Sequence, residues 1–300
     1  MKKDFLTLLD LTSKELHALL KRAAELKSGK DASACPLIGK SLGLLFNKTS
    51  TRTRISFQTG IYQLGAQAIY INTQELQLGR GETIEDTAKV LSRYLHGIVI
   101  RTYDHDMIVK LAQNSTIPII NGLTDLHHPC QALADVLTIR EKKGRLKDIR
   151  MAYIGDGNNV ANSLIEAAGL TGIDLVLACP HGYEPDKAIY ENARSKGAKV
   201  KILANPDEAA KDADVLYTDV WISMGQEKEV ERKKKKFAAY QINSRLVSLA
   251  KPDAIVMHCL PAHRGEEITD EVLDSPQSVV IDEAENRLHT QKALLEMLVR

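Results

Sequence analysis

Ser41-Leu42-Gly43-Leu44-Leu45-Phe46-Asn47-Lys48-Thr49-Ser50-Thr51-Arg52-Thr53-Arg54 begins as a short apolar run and ends in hydroxyls and cations. The run is continuous rather than alternating, which predicts a strand buried on both faces, the habit of a parallel sheet. The polar half then opens a helix reaching to about Gly65. Hydroxyl side chains at a helix start cap its free N–H groups. Those N–H groups, the positive end of the helix dipole and an arginine fork also suit a phosphate dianion. Three hydroxyls interleaved with two arginines in the five residues Ser50 to Arg54 favour an anion site over a capped helix with solvated arginines.

The same rhythm extends in both directions. Upstream, Ser13 to Lys27 predicts a helix with Ser13 as its cap and Leu16, Leu19, Leu20 and Ala23 on one face. Downstream, strands are expected at Gln67 to Asn72, Ile98 to Arg101 and Pro118 to Ile120. Helices are expected at Thr83 to Tyr94, Asp106 to Asn114 and Pro129 to Lys142. A second series of strands reads at Met151 to Gly155, Leu175 to Cys179, Lys199 to Leu203, Val215 to Asp219, Ile255 to Cys259 and Val279 to Asp282. A last helix runs from about Glu283 to Val299. Two such series predict an α/β chain of two domains, each a parallel sheet flanked by helices. The boundaries fall at 1–143, 144–282 and a C-terminal helix at 283–300, with the joint in the polar stretch Glu141 to Leu146.

The bulk numbers agree. Three hundred residues, 44% hydrophobic and 26% charged, suit a globular protein with two cores. A formal charge of +1 gives no broad field to draw in nucleic acid or an anionic membrane. No apolar stretch approaches the ~20 residues a membrane span requires. Asp10, Lys14 and Glu15 interrupt any secretory signal, so a cytoplasmic location is expected. Cys35, Cys130, Cys179 and Cys259 are too dispersed for a disulfide framework or a structural zinc site. The basic run Arg232 to Lys236 reads as a solvated helix face or loop.

Ligands of parallel sheets bind at the carboxyl ends of the strands, so unusual polar residues just after strands carry the functional signal. Arg101-Thr102-Tyr103 follows one strand. Asp125-Leu126-His127-His128-Pro129-Cys130-Gln131 follows another, with Pro129 suited to the first helical position and His128 to the cap. His127, His128 and Cys130 lie too close along the chain for a convincing closed metal site. Tyr153-Ile154-Gly155-Asp156-Gly157-Asn158-Asn159 ends a strand in Gly-x-Gly, as a dinucleotide site does, but the third glycine of that fingerprint is missing. Asp219 ends a strand and either meets a cation or caps the next helix. Cys259, in His258-Cys259-Leu260-Pro261, is by itself as readable as an inert buried thiol.

Ser-Thr-Arg-Thr-Arg at 50–54, His-Pro-x-Gln at 128–131 and the spacing between them resemble the aspartate and ornithine carbamoyltransferases, over nearly the whole chain. That resemblance implies two α/β domains bridged by the first-to-second-domain helix and by the C-terminal helix, which packs back on the first domain. It implies that Ser50, Thr51, Arg52 and Thr53 hold the phosphate of carbamoyl phosphate. Arg101 would bridge phosphate and carbonyl oxygen, His128 would donate to that oxygen, and Gln131 would hold the carbamoyl amide. Gln77 aligns with a loop reaching a neighbouring subunit's phosphate, and Arg287 resembles a further donor contact. Gly-Asp-Gly-Asn-Asn resembles the family's ornithine turn, with Asn159 favoured over Asn158. Ser223-Met224-Gly225 is the motif that marks the ornithine branch, making Asp219, Ser223 and Met224 ornithine ligands. Cys259 would act with Asp219 on the amine and also touch the carbamoyl group, while the Leu260 carbonyl would accept from the carbamoyl amide.

The implied reaction is carbamoyl transfer from carbamoyl phosphate to ornithine, giving citrulline and phosphate in arginine metabolism. Arg101, His128, Cys259 and Asp219 would be its catalytic residues, with no metal or cofactor required. A homotrimer or multiple of trimers is implied, along with closure of the domains over the substrates. Transfer to aspartate and, more distantly, a nucleotide-binding oxidoreductase are the competing readings.

Overall fold

The computed structural model describes residues 3–29, 35–72, 81–222 and 230–299. Two compact units emerge, Met1–Ala134 with Glu285–Arg300, and Asp135–Ala284.

The first unit runs α1 (Ser13–Lys27), β1 (Ser41–Phe46), α2 (Thr51–Gln63), β2 (Gln67–Asn72), α3 (Ile84–Tyr94), β3 (Gly97–Arg101), α4 (His105–Asn114) and β4 (Ile119–Leu123). It then enters α5 (Pro129–Lys143). The strands pair in parallel in the order β2-β1-β3-β4. β3 and β4 are buried along their length and β1 along all but its first residue, which explains their unbroken apolar sequences. The strand order reverses between β1 and β3, so a crevice opens at their carboxyl ends. Phe46 registers with Arg101, and the Asn47 N–H donates to the Arg101 carbonyl at 2.8 Å. The two polar segments therefore leave the sheet side by side.

On α1 the buried residues are Leu16, Leu19, Leu20 and Ala23, the face expected from the spacing. Each leucine there contributes roughly 1.5–3 kcal/mol by burial. The cap is Thr12 rather than Ser13: Thr12 Oγ1 accepts from the Glu15 N–H, and the Glu15 carboxylate accepts from the Thr12 N–H. This reciprocal capping box fixes the helix start one residue earlier.

The second unit runs β5 (Arg150–Ile154), α6 (Asn159–Thr171), β6 (Asp174–Ala178), α7 (Lys187–Ser195), β7 (Val200–Leu203), α8 (Pro206–Ala210) and β8 (Val215–Thr218). There follow α9 (Val230–Phe237), α10 (Ser244–Val247), β9 (Ile255–His258), α11 (Asp270–Leu273) and α12 (Val280–Leu298). Its parallel sheet has the order β7-β6-β5-β8-β9, reversing between β5 and β8. Ala152, Ile154, Val176, Leu216 and Val256 form part of its core with Leu246, Ile268 and Val272. Among the described residues no helix is long and apolar enough to cross a membrane.

Two further expectations change. Val279 to Asp282 is not a strand. Val256 bridges Ser278 alone, the Val279 N–H donates to Val256 O, and the Glu283 N–H already donates back to Val279 O. The chain touches the sheet once and turns into α12, which starts at Val280 instead of near Glu283. The basic run is helical, as part of α9, yet one member is not solvated: Lys233 is 3% exposed.

Candidate active site

Ser50 caps α2, its Oγ accepting from the Thr53 N–H at 3.2 Å. Thr51 is exposed and Arg52 half-buried, whereas Thr53 is buried. Arg287, entering from α12, donates from Nη2 to Thr53 Oγ1 at 3.1 Å and from Nη1 to Gln131 Oε1 at 2.6 Å. One guanidinium fork thus ties the start of α2 to the first turn of α5. Arg54 turns elsewhere, lying 3.8 Å over the Tyr70 ring and donating to Gln58 Oε1 at 3.3 Å.

His128 is buried beside this fork. Burial holds its ring well below the ordinary histidine range, and Arg287, Arg101, Arg52 and Lys48 depress it further. The imidazole is therefore neutral near pH 7 while four cations gather about it. Such a cluster fits a doubly negative ligand, and the neutral ring supplies a hydrogen bond without another positive charge. Lys48 was not anticipated. It is buried, pairs with Asp125 and lies 4.1 Å over the Tyr103 ring.

The neighbouring motif residues have structural employment. His127 packs against His105 at 4.9 Å between ring centroids, and His105 Nδ1 meets Thr124 Oγ1 at 3.1 Å. Cys130 donates to the Asn121 carbonyl at 3.3 Å, its thiol pushed up to about 12 by burial.

In the second unit the reversal between β5 and β8 brings Asn158 and Asp219 together. Asn158 caps α6, its Oδ1 accepting from the Val160 and Ala161 N–H groups at 2.9 and 3.3 Å. Its Nδ2 donates to Asp219 Oδ2 at 2.7 Å, and the Tyr153 hydroxyl donates to its Oδ1 at 3.2 Å. Asn158 and Asn159 are both half-buried. Asp219 Oδ1 accepts from the Val220 N–H at 2.8 Å and from Cys259 Sγ at 2.9 Å. Burial, reinforced by the Asp219 charge, pushes the Cys259 thiol well above its ordinary range. Cys259 is thus a neutral donor rather than a thiolate.

Leu260 follows with a φ of 56° and a cis bond to Pro261, its N–H donating to His258 Nδ1 at 2.8 Å. That bond leaves the proton on His258 Nε2, 3.0 Å from Glu267 Oε1. Asp219, His258 and Cys259 bring ligand-type atoms close together, as do His263, Glu266 and Glu267. Hydrogen bonds already engage the first set.

The Gly-x-Gly turn has a different purpose from a nucleotide cradle. A Cβ on Gly157 would fall 2.2 Å from Pro185 N, and the Gly157 N–H donates to Tyr183 O at 2.8 Å. The glycine admits the backbone of 183–185, and Asn158 covers the helix N–H groups that a pyrophosphate would use. Beside it, Lys233 donates to Asp156 Oδ2 at 2.8 Å and to Trp221 O at 3.1 Å.

The description "Aspartate/ornithine carbamoyltransferase, carbamoyl-P binding domain" matches residues 3–141, and "Aspartate/ornithine carbamoyltransferase, Asp/Orn binding domain" matches 147–298. The chain belongs to the aspartate/ornithine carbamoyltransferase family. A relative from Syntrophus aciditrophicus called ornithine carbamoyltransferase is 54% identical over the whole of both chains. One of the same description from Methanosarcina mazei is 53% identical, also over the whole of both. The solved ornithine carbamoyltransferase of Pyrococcus furiosus superposes with a TM-score of 0.95 at 52% identity, covering 99% of this chain and 97% of that one.

Of the residues singled out from sequence, Ser50, Thr53, Gln131 and Arg287 form one bonded group, with Arg52 and Arg101 acting on the adjoining His128. Asp219 and Cys259 form another, joined by Asn158 and followed by Leu260. Gln77, Ser223 and Met224 lie outside the described residues. Lys48 and Lys233 are two buried lysines to which the sequence motifs give no role.

Proposed function

We propose that the chain transfers the carbamoyl group of carbamoyl phosphate to the side-chain amine of L-ornithine, giving citrulline and phosphate. The carrying observation is the gathering of Lys48, Arg52, Arg101 and Arg287 around a neutral His128 beside the capped start of α2. A phosphate dianion fused to a carbonyl matches that arrangement of charge and neutral donor.

In this reading Ser50, Thr51, Arg52 and Thr53 hold the phosphate, with Gln77 reaching from a neighbouring subunit. Arg101 spans phosphate and carbonyl oxygen, and the His128 N–H donates to that oxygen. Arg287 donates to Gln131 Oε1, and Gln131 holds the carbamoyl amide. The Leu260 carbonyl accepts from the same amide, and Cys259 borders the carbamoyl group.

Asn159, Ser223 and Met224 hold the amino-acid end of ornithine, and Asp219 receives its side chain. Free alkyl amines are mostly protonated near pH 7, so the nucleophile is the minor free base. The Asp219 carboxylate takes up the proton, with Cys259 and Asn158 fixing its two oxygens. The amine nitrogen then attacks the carbamoyl carbon. Thr53, Arg101 and His128 stabilise the resulting oxyanion. Collapse breaks the C–O bond to phosphate, which leaves held by the cations.

The working form is a homotrimer or a multiple of trimers, acting in the cytoplasm. Incubation with carbamoyl phosphate and either ornithine or aspartate tests the reading. Citrulline should accumulate with ornithine and carbamoyl-aspartate should not form with aspartate. Failure to form citrulline above background overturns it.

A further inference from the structure

Asp156 and Trp221 stand just past the ends of two neighbouring strands, β5 and β8. Asn158 and Asn159 follow Asp156, and Asp219 comes two residues before Trp221. One direct side-chain bond joins the two segments, from Asn158 Nδ2 to Asp219 Oδ2 at 2.7 Å. Lys233, reaching in from α9, supplies a second link. Its Nζ donates to Asp156 Oδ2 at 2.8 Å and to Trp221 O at 3.1 Å, so one buried ammonium spans both segments. The Tyr183 and Phe237 rings lie 5.1 and 5.9 Å from that nitrogen, within cation–π range. These rings touch the same two segments. Phe237 packs against Trp221 at 5.8 Å between ring centroids, and Tyr183 O accepts from the Gly157 N–H at 2.8 Å.

The lysine also sorts the charges. Asp156 and Asp219 are both buried carboxylates, and Lys233 is committed to Asp156. Among the described residues, the donors that Asp219 meets are the Asn158 amide, the Val220 N–H and the Cys259 thiol, all neutral. A buried carboxylate held by neutral donors retains its demand for a cationic partner. We propose that Lys233 is a positioning residue for the amino-acid substrate: bonded to Asp156 and to the Trp221 carbonyl, it fixes the turn after β5 against the end of β8 and leaves Asp219 to the substrate's side-chain amine. The inference rests on the proposed reaction for the identity of that amino acid, ornithine.

Three variants separate positioning from mere support of the fold. Lys233→Met removes both bonds but strands the Asp156 carboxylate. Asp156→Asn keeps the lysine, its bond to Trp221 O and an amide oxygen to receive it. The double variant carrying Asp156→Asn with Lys233→Met removes the lysine and leaves no buried charge behind. Asp156→Asn should keep KM for ornithine within about threefold of the parent, a difference below a single hydrogen bond. The double variant should raise that KM at least about tenfold, the scale of one lost charge-assisted bond. KM for carbamoyl phosphate should stay within about twofold in both, because Lys233 touches none of the cations gathered around His128. The double variant should also melt above Lys233→Met, the stranded carboxylate being gone.

Initial rates of citrulline formation give the two KM values, and calorimetric titration with ornithine in saturating inorganic phosphate reads binding without turnover. A lysine that only supports the fold predicts that the double variant regains ornithine use together with its thermal midpoint, and that result overturns the proposal. Equal rises in both KM values overturn it as well, as does an Asp156→Asn variant impaired as far as the double. Should Lys233→Met not fold, the double variant decides; if that also fails to fold, Lys233 is a structural residue alone and the proposal falls. A parent that makes no citrulline but binds ornithine, with binding weakened at least about tenfold in the double variant, overturns the reaction and leaves the positioning role standing. A parent that neither turns over nor binds ornithine overturns both.

Discussion

Cys259 Sγ donates to Asp219 Oδ1 across 2.9 Å, while the other Asp219 oxygen accepts from Asn158 at 2.7 Å. Burial and the Asp219 charge keep that thiol protonated, so it acts as a donor and Asp219 as the acceptor. Cys259→Ser, which keeps a donor, should lower kcat/KM for ornithine less than Cys259→Ala. Asp219→Asn should lower it by about 10²–10⁴-fold, the range for a lost proton acceptor. Initial rates against ornithine concentration check this, and a near-normal Asp219→Asn would remove Asp219 from the proton path.

Arg287 holds Thr53 and Gln131 with separate nitrogens of one fork. A lysine offers a single point charge and cannot span both. Arg287→Lys should weaken carbamoyl phosphate binding by about tenfold or more, corresponding to charge-assisted bonds of roughly 1.5–3 kcal/mol. Calorimetric titration with inorganic phosphate reads the same loss; unchanged affinity would detach Arg287 from the donor site.

The depressed ionisation of His128 has a sign for stability as well as for catalysis. Below the ordinary histidine value of 6.5 the unfolded chain takes up a proton that the folded ring refuses. Stability contributed by the neutral ring is therefore present above that pH and lost as pH falls through it. Replacing His128 with Gln should flatten the acid limb of the thermal midpoint relative to the parent below that value. The same variant should lose on the order of 10²-fold in kcat through the missing oxyanion donor. An acid limb identical in parent and variant would contradict the buried neutral ring.

Lys233 and Lys234 are adjacent and chemically alike but differently placed. Lys233 is buried against Asp156, whereas Lys234 pairs with Glu266 at the surface. Lys233→Met strands a buried carboxylate and should cost about 3–5 kcal/mol of stability. Lys234→Met should leave it nearly unchanged. Denaturant titrations of the two variants compare them directly, and equal losses would contradict the difference in burial.

The bonded group at the start of α2 was partly legible because its polar residues cluster in sequence where β1 and β3 end, so the strand pattern and the interleaved hydroxyls and arginines drew attention to Ser50, Arg52 and Arg101. The Asp219–Cys259 contact was foreshadowed for the same reason, both residues standing just after β8 and β9, although roles for them came only through the family likeness. What stayed hidden depends on partners far along the chain. Lys48 finds Asp125 and Lys233 finds Asp156, each 77 residues away. A lysine in a run of five basic residues looks solvated until a buried carboxylate meets it. Val279 to Asp282 misled because three apolar residues suit the first turn of a buried helix as well as a short strand.

Carbamoyl transfer to ornithine is tested most directly by following ¹³C-labelled carbamoyl phosphate by NMR, with ornithine and aspartate present together in equal amounts. The account predicts that the label moves into the ureido carbon of citrulline and that unlabelled phosphate accumulates in step. Label in carbamoyl-aspartate, or only in the bicarbonate released by hydrolysis, would contradict it.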